Sequence, residues 1–322
     1  MPHSPSPSRS NSFAQFGKIV VLYGGVSQER EISLLSGNAV LDALKQTDAH
    51  VLGIDIGDKP LEQIQQCEAD IAFICLHGAA GEDGRIQSAL SLAGIAYTGS
   101  HHAACALSMN KLTTKQVWTS IGLRTPKWLP LNAQTDFAKV ITELQYDCFV
   151  KPVSEGSSIG MRRVRSASEL QEAYDFASQF DKTVIAEQSI AGREFSVTVL
   201  NNEPLPEVEM VAANDFYDYE AKYKSSDTRY HCPADLHDGH RQALKHLAHR
   251  AFAAVGATNW ARIDLMFDGR EFWLLELNTV PGMTQSSLVP KSAAARGLSF
   301  TDLLFEILHG AVSEHQEVQH VR

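Results

Sequence analysis

Ala261-Arg-Ile-Asp264 and Leu274-Leu-Glu276-Leu-Asn278-Thr-Val-Pro-Gly282-Met-Thr284 flank an Asp268-Gly269 pair. Asp-Gly between two β-rich runs is a turn signal, so the stretch reads as an apolar hairpin ending in three oxygen-donor side chains and an arginine. Two carboxylates and an amide oxygen suit a hard cation that keeps some of its waters, which makes Asp264, Glu276 and Asn278 a candidate magnesium site. Glu276 and Asn278 share a strand face. A two-residue turn would put Asp264 on the wrong side, whereas a three-residue loop with a bulge places it opposite Leu274 and on their side. The alternative is a solvated hairpin edge, because surface acids are common.

A second stretch, Lys151-Pro-Val-Ser-Glu-Gly156-Ser157-Ser158-Ile-Gly160-Met161, lies between a strand predicted at Cys148 to Lys151 and a short β run around Val164. Its lysine precedes the glycines and a strand follows, the reverse of a Walker A loop, which runs straight into a helix. The pattern is that of a flap whose backbone N–H groups cover phosphates, glycine allowing close approach. A flexible hairpin loop is the other reading. Near the start, Ile19-Val-Val-Leu-Tyr23-Gly-Gly25-Val-Ser27-Gln-Glu29-Arg30-Glu31-Ile-Ser33 breaks a strand at paired glycines and enters a helix with Ile32, Leu35, Ala39 and Val40 on one side. Such a βα turn binds anions or zwitterions. Glu29 there either holds an ammonium group or complements the positive end of the helix.

These residues carry a resemblance. Gly24-Gly-Val-Ser-Gln-Glu-Arg-Glu-Ile-Ser33, Leu76-His-Gly78 with Gly81-Glu-Asp-Gly84, Tyr97-Thr-Gly99, Glu155-Gly-Ser-Ser-Ile-Gly160, Phe216-Tyr-Asp-Tyr-Glu-Ala-Lys-Tyr223, Ala261-Arg-Ile-Asp264 and Asn278-Thr-Val-Pro-Gly-Met-Thr284 resemble the D-alanine:D-alanine ligases of the ATP-grasp superfamily, in that family's order. The resemblance implies ATP-dependent joining of two D-alanines through a D-alanyl phosphate, for peptidoglycan precursors. It implies ATP as a substrate and magnesium, as two ions with manganese as a substitute, held by Asp264, Glu276 and Asn278. By the same resemblance Glu29 binds the first substrate's ammonium and connects through Ser157 to Tyr223, while Arg262 and the Gly282 N–H meet the oxyanion. His77 orients substrate, and Ser287 and Leu288 receive the second carboxylate. Lys111, Lys151 and Lys222, with Ser158 of the flap, contact phosphates; Glu187 and Glu194 accept from adenine and ribose. Ala261, Val280 and Asn110 depart from residues frequent in the family and remove no group the chemistry requires. A depsipeptide ligase making D-alanyl-D-lactate, another ATP-grasp ligase and a non-catalytic nucleotide sensor are the alternatives; Tyr223 speaks for the dipeptide.

The fold expected is α/β: an N-terminal doubly wound parallel sheet unit, followed by a two-subdomain ATP-grasp fold of α+β type. The divisions expected are a disordered Ser- and Pro-rich tail at 1–16, a Rossmann-like substrate domain at 17–105, a central subdomain with the flap at 106–192, and a C-terminal subdomain at 193–322. The last holds the metal hairpin and an aromatic, charged lid from Ala213 to Cys232 with no clear period. The chain's 322 residues suit two or three domains, and its net charge of −10 argues against nonspecific nucleic-acid binding. Five scattered cysteines with no C-x-x-C read as a reduced cytoplasmic protein, and no apolar run approaches a membrane span. A homodimer acting on small molecules is expected. His237, His240, His246 and His249 fall on or beside an amphipathic helix and read as a solvated face.

Overall fold

The structure, a computed structural model, describes residues 12–211 and 228–320. Strands β1 (Lys18–Gly24), β2 (His50–Ile56), β3 (Ile71–Ile74) and β4 (Ala96–Tyr97) form a parallel sheet in the order β2-β1-β3-β4. Helices α1 (Arg30–Leu44), α2 (Pro60–Gln66) and α3 (Arg85–Ala93) make the crossovers. Alternation along β1 feeds two cores. Ile19 and Val21 pack with Val40, Leu44 and Phe73, whereas Val20 and Leu22 pack with Ile64, Ile86 and Leu90. The first of these cores also takes in Leu303, Leu304, Ile307 and Leu308 from the chain's last helix, Phe300–His320, so the end of the chain closes over its beginning.

Of the tail expected at 1–16, residues 1–11 lie outside the described residues, and from Ser12 on the chain is held by the fold. Phe13–Phe16 is a 3-10 turn whose Phe13 and Phe16 rings are buried against Phe305. The Ser12 hydroxyl and the Phe13 N–H both donate to Asp48. Two aromatic rings are apolar surface enough to seat this turn on the core.

Helices α4 (His102–Met109) and α5 (Lys111–Ser120) lead into the central sheet. Its strands are β5 (Trp128–Leu131), β6 (Cys148–Pro152), β7 (Arg162–Val164) and β8 (Val184–Gln188), antiparallel in the order β5-β8-β6-β7. Helices α6 (Phe137–Glu143) and α7 (Ala167–Ala177) cover one face through Val140, Leu144, Leu170 and Ala173. Ser166 caps α7, its hydroxyl accepting from the Glu169 N–H at 3.3 Å while Glu169 accepts from the Arg165 N–H at 2.7 Å.

The third sheet comprises β9 (Arg193–Leu200), β10 (Glu203–Pro204), β11 (Val208–Val211), β12 (Arg229–His231), β13 (Trp260–Phe267) and β14 (Phe272–Asn278). It is antiparallel, in the order β12-β11-β9-β13-β14, with β10 turned back on β9 through Asn201 and Asn202, both at positive φ. Val197, Val199, Ile263, Leu265 and Leu277 point to α8 (Asp238–Ala254), which fills the far side with Leu244, Ala248 and Phe252. The opposite face is polar and bears the site. Helices α9 (Leu288–Ala295) and α10 (Phe300–His320) finish the chain. Of the segment expected as a lid, Ala213 to Cys232, residues 213–227, including Lys222 and Tyr223, lie outside the described residues, and its end at Arg229–His231 is an edge strand paired with β11.

Candidate active site

The hairpin register departs from the expected one. Four residues, 268–271, separate the paired Phe267 and Phe272, and Leu265 pairs with Leu274. Asp264 then pairs with Glu276, so the extra residue is Leu275 and the bulge sits within β14 rather than at the turn. The consequence is the one expected: Arg262 opposite Asn278 and Asp264 opposite Glu276 stand on one face. Leu275 and Glu276 both line the cleft, while Leu274 and Leu277 remain in the core. A slip without the bulge would bury the carboxylate on the α8 side.

That face closes on itself. Arg262 grips Asp264, Nε to Oδ1 at 3.0 Å and a terminal nitrogen to Oδ2 at 2.8 Å; Ser196 donates to Oδ1 at 2.8 Å and the Asn278 amide to Oδ2 at 3.3 Å. Lys111, first residue of α5, lies 3.2 Å from Glu276 Oε2 and donates to the Glu155 carbonyl of the flap at 2.7 Å. Asn110 accepts from the Thr113 N–H at 3.0 Å and caps α5, a task an acid performs equally, which accounts for that departure. Among the described residues no three His, Cys, Asp or Glu side chains converge as a metal cluster. The donor set of two carboxylates and an amide oxygen nonetheless fits magnesium, with Lys111 and Arg262 standing at its edges.

A cleft of about 520 Å³ opens between the central and third sheets. Lys151 and Glu187 line it from one side, Glu194, Met266 and Glu276 from the other, and Glu155, Ser158 and Met161 of the flap cover it. Lys151 Nζ donates to Glu187 Oε1 at 2.7 Å, and Lys115 Nζ, which the sequence reading passed over, lies 2.6 Å from Glu187 Oε2. Burial raises the Glu187 carboxyl, but Lys115 and then Lys151 outweigh it and hold the group below its ordinary value. The signal available was the Lys111-x-x-x-Lys115 spacing, which puts two cations on one helix face.

The flap hairpin is as expected, with Cys148 opposite Val164 and Val150 opposite Arg162. At its tip Ser157 and Ser158 both take left-handed φ, 50° and 61°, a strain of roughly 1–3 kcal/mol each that the surroundings must hold. One such hold is visible. Ser157 Oγ donates to Glu29 Oε1 at 2.5 Å. Glu29 therefore spends its side chain on the flap and not on capping α1, where it makes no side-chain cap bond. Two glycines make room: a Cβ at Gly78 would come 2.9 Å from Glu29 Oε2, and one at Gly156 2.7 Å. The carboxylate is thus cradled by three loops that meet only in the fold.

His77 is buried beside this cradle. Ser36 Oγ accepts from the Met283 N–H at 3.1 Å and pairs with His77 Nε2 at 3.2 Å, while His77 Nδ1 pairs with Glu82 Oε1 at 3.3 Å. Burial pushes the Glu82 carboxyl up, reinforced by the charge of Glu29 and offset by His77 and Arg262. Glu155 is raised as well, by burial and then by Glu29. Glu82 stood inside the quoted Gly81-Glu-Asp-Gly84 motif; neither its burial nor Ser36 could be read from spacing. Ser287 lies at the start of α9, its Oγ 3.1 Å from the Thr284 N and within 3.1 Å of where a Cβ on Gly282 would stand. The Leu288 side chain is buried with Val208 and Met210.

Two antiparallel α+β halves closing on a lysine-lined cleft beneath a glycine-rich flap define an ATP-grasp enzyme. The family model described as the D-ala D-ala ligase C-terminus matches residues 117–309, and that of the N-terminus matches 57–100. The chain belongs to the D-alanine-D-alanine ligase family. It is 49% identical to the D-alanine-D-alanine ligase of Ectopseudomonas mendocina over 92% of this chain and 95% of the relative. With that of Stutzerimonas stutzeri it shares 50% over 91% and 94%. The structure of the Bacillus anthracis ligase complexed with ATP superposes with a TM-score of 0.82 at 28% identity, covering 93% of this chain and 99% of that one. Among the described residues no helix is long and apolar enough to cross a membrane.

Proposed function

We propose that this chain joins two D-alanines into D-alanyl-D-alanine at the expense of ATP, supplying a peptidoglycan precursor. The observation that carries the reading is Glu29: a carboxylate leaves its helix end, is seated between Gly78 and Gly156, and is fixed by the flap serine. A buried carboxylate so held suits an amino acid's ammonium group.

ATP lies in the cleft between the sheets, its phosphates toward Lys111, Lys151, Lys222 and Ser158 and its adenosine toward Glu187 and Glu194. Asp264, Glu276 and Asn278 would hold magnesium, which neutralises charge building on the β- and γ-phosphates; manganese and a second ion suit the same oxygen donors. The first D-alanine, its ammonium on Glu29, presents its carboxylate to the γ-phosphoryl group, giving D-alanyl phosphate and ADP. The second D-alanine, its carboxylate at the start of α9 on Ser287 and the Leu288 N–H, is set by His77 so that its amine attacks the acyl carbon. Arg262 and the Gly282 N–H receive the oxyanion, and phosphate departs. The Glu29–Ser157 bond continues to Tyr223 when the site is closed, which keeps water from the acyl phosphate. We place this activity in the cytoplasm, in a homodimer, within the divisions 17–105, 106–192 and 193–322.

Purified protein given magnesium and ATP is expected to release phosphate on addition of D-alanine, with the dipeptide as product, and not on addition of L-alanine. ATP turnover without dipeptide, or equal stimulation by D-lactate plus D-alanine with depsipeptide as the product, overturns it.

A further inference from the structure

One buried cation has no part in the mechanism above. Lys115 lies within α5, is fully buried, and presents its ammonium to Glu187 Oε2 at 2.6 Å and to Thr125 Oγ1 at 2.7 Å. Thr125 in turn donates to the Leu274 carbonyl at 2.8 Å, so the ammonium is anchored to β14 as well as to Glu187 on β8. Lys111, one helical turn earlier, serves Glu276 of the opposite sheet in the same manner. Helix α5 therefore supplies one cation to the carboxylate of each wall of the cleft.

The two lysines on Glu187 are not equivalent. Lys151 reaches it from the cleft, where it lines the cavity, and Lys115 reaches it from the interior. If Lys151 is to move to a phosphate oxygen, Glu187 would be left as a buried carboxylate with no counter-charge unless another cation stayed behind. Stranding a buried charge is costly. We propose that Lys115 is a positioning residue for the nucleotide: it neutralises Glu187 from the buried side, which frees Lys151 to exchange Glu187 for phosphate. The proposal rests on the reading of Lys151 and Glu187 as nucleotide contacts.

The charged groups facing Lys115 are Glu187 from β8, Lys151 from β6 and Glu276 from β14; burial lowers its ammonium, against the pull of Glu187, to about 8. ATP affinity should therefore fall as pH rises through that value.

The test is calorimetric titration of the full-length protein with ATP and magnesium, alongside steady-state kinetics. Lys115→Met is expected to weaken ATP binding roughly tenfold, an ordinary coupling between charged sites, and to leave the KM for D-alanine unchanged. Lys115→Arg, charged throughout, is expected to restore affinity and flatten the pH profile. Wild-type affinity for ATP in folded Lys115→Met overturns the proposal. So does the wild-type fall with pH persisting in Lys115→Arg. Should neither variant fold, a wild-type profile flat across the range around pH 8 overturns it, and a fall there supports it. Lys151→Met separates the two readings. If it too binds ATP like wild type, the nucleotide assignment fails; if it is weakened and Lys115→Met is not, only the role of Lys115 fails.

Discussion

The nucleotide cleft and the Glu29 cradle solve opposite electrostatic problems in a chain of net charge −10. At the cleft, Lys111 and Lys151 from its walls and Lys115 from the interior behind it outnumber the carboxylates they touch, Glu187 and Glu276, which β8 and β14 hold in place. In the cradle, Glu29, Glu82 and Glu155 gather beside Arg262 and the His77 ring, and Glu82 and Glu155 are raised by burial and by Glu29. A polyanion is expected to settle in the first and an ammonium in the second. The two are joined at the flap. Glu155 offers its carbonyl to Lys111, and Ser157, close by, donates to Glu29. A shift of the flap is therefore felt at both ends, which ties nucleotide binding to readiness of the amino-acid site.

The sharpest break in that comparison is Glu276→Gln. It removes the carboxylate shared by the cationic side and the proposed metal while keeping the shape of the side chain. Turnover is expected to fall by about 10²–10³ or more, the scale of losing one charge-stabilising group, while the protein melts cooperatively as before. Phosphate release measured over a magnesium series decides it, and an unchanged magnesium dependence removes Glu276 from the metal set.

On the other side, Glu29→Gln is expected to raise the KM for D-alanine by about tenfold to a hundredfold, the range of one charged hydrogen bond, with ATP affinity less affected. Ser157→Ala should do less, and the double variant should cost less than the two added together, because both remove one contact. Fully additive losses would mean that the bond between flap and cradle does not operate in turnover.

Legibility in the sequence followed the distance over which each feature is decided. The flap hairpin, the Ser166 cap, the Asn201-Asn202 turn and the common face of Asp264, Glu276 and Asn278 rest on neighbours and strand alternation, and all were readable. The position of the bulge was not, since parity is satisfied equally by an extra residue at the turn or at Leu275. The local pattern at Glu29 allowed a helix-end role, and only the folded chain brings Ser157 to it. Burial was equally hidden: Lys115 reads as one more helical lysine, and Phe13 and Phe16 as part of a polar tail, until the fold covers them.

The smallest effect concerns stability on the acidic side, through Glu82. Its carboxyl lies above its ordinary value in the folded protein, chiefly through burial and then through Glu29, against the help of His77. A carboxyl raised on folding contributes stability that is fully present below its unfolded value and is lost as pH rises through the folded value. At neutral pH, then, wild-type Glu82 carries a folding penalty that a neutral amide of the same shape does not. Glu82→Gln keeps an oxygen that can accept from His77 Nδ1–H, so the contact survives while the charge goes. The melting temperature of the variant relative to wild type is expected to become more favourable as pH is raised from about 4.5 to about 7.5. Turnover should decline over the same comparison, because the charge that orients His77 is absent. Melts of both proteins at matched pH values test this. A stability gap independent of pH, or one moving toward the wild type as pH rises, would show that Glu82 sits at no electrostatic cost, and the acidic side would then be a solvated surface rather than a cradle awaiting a cation.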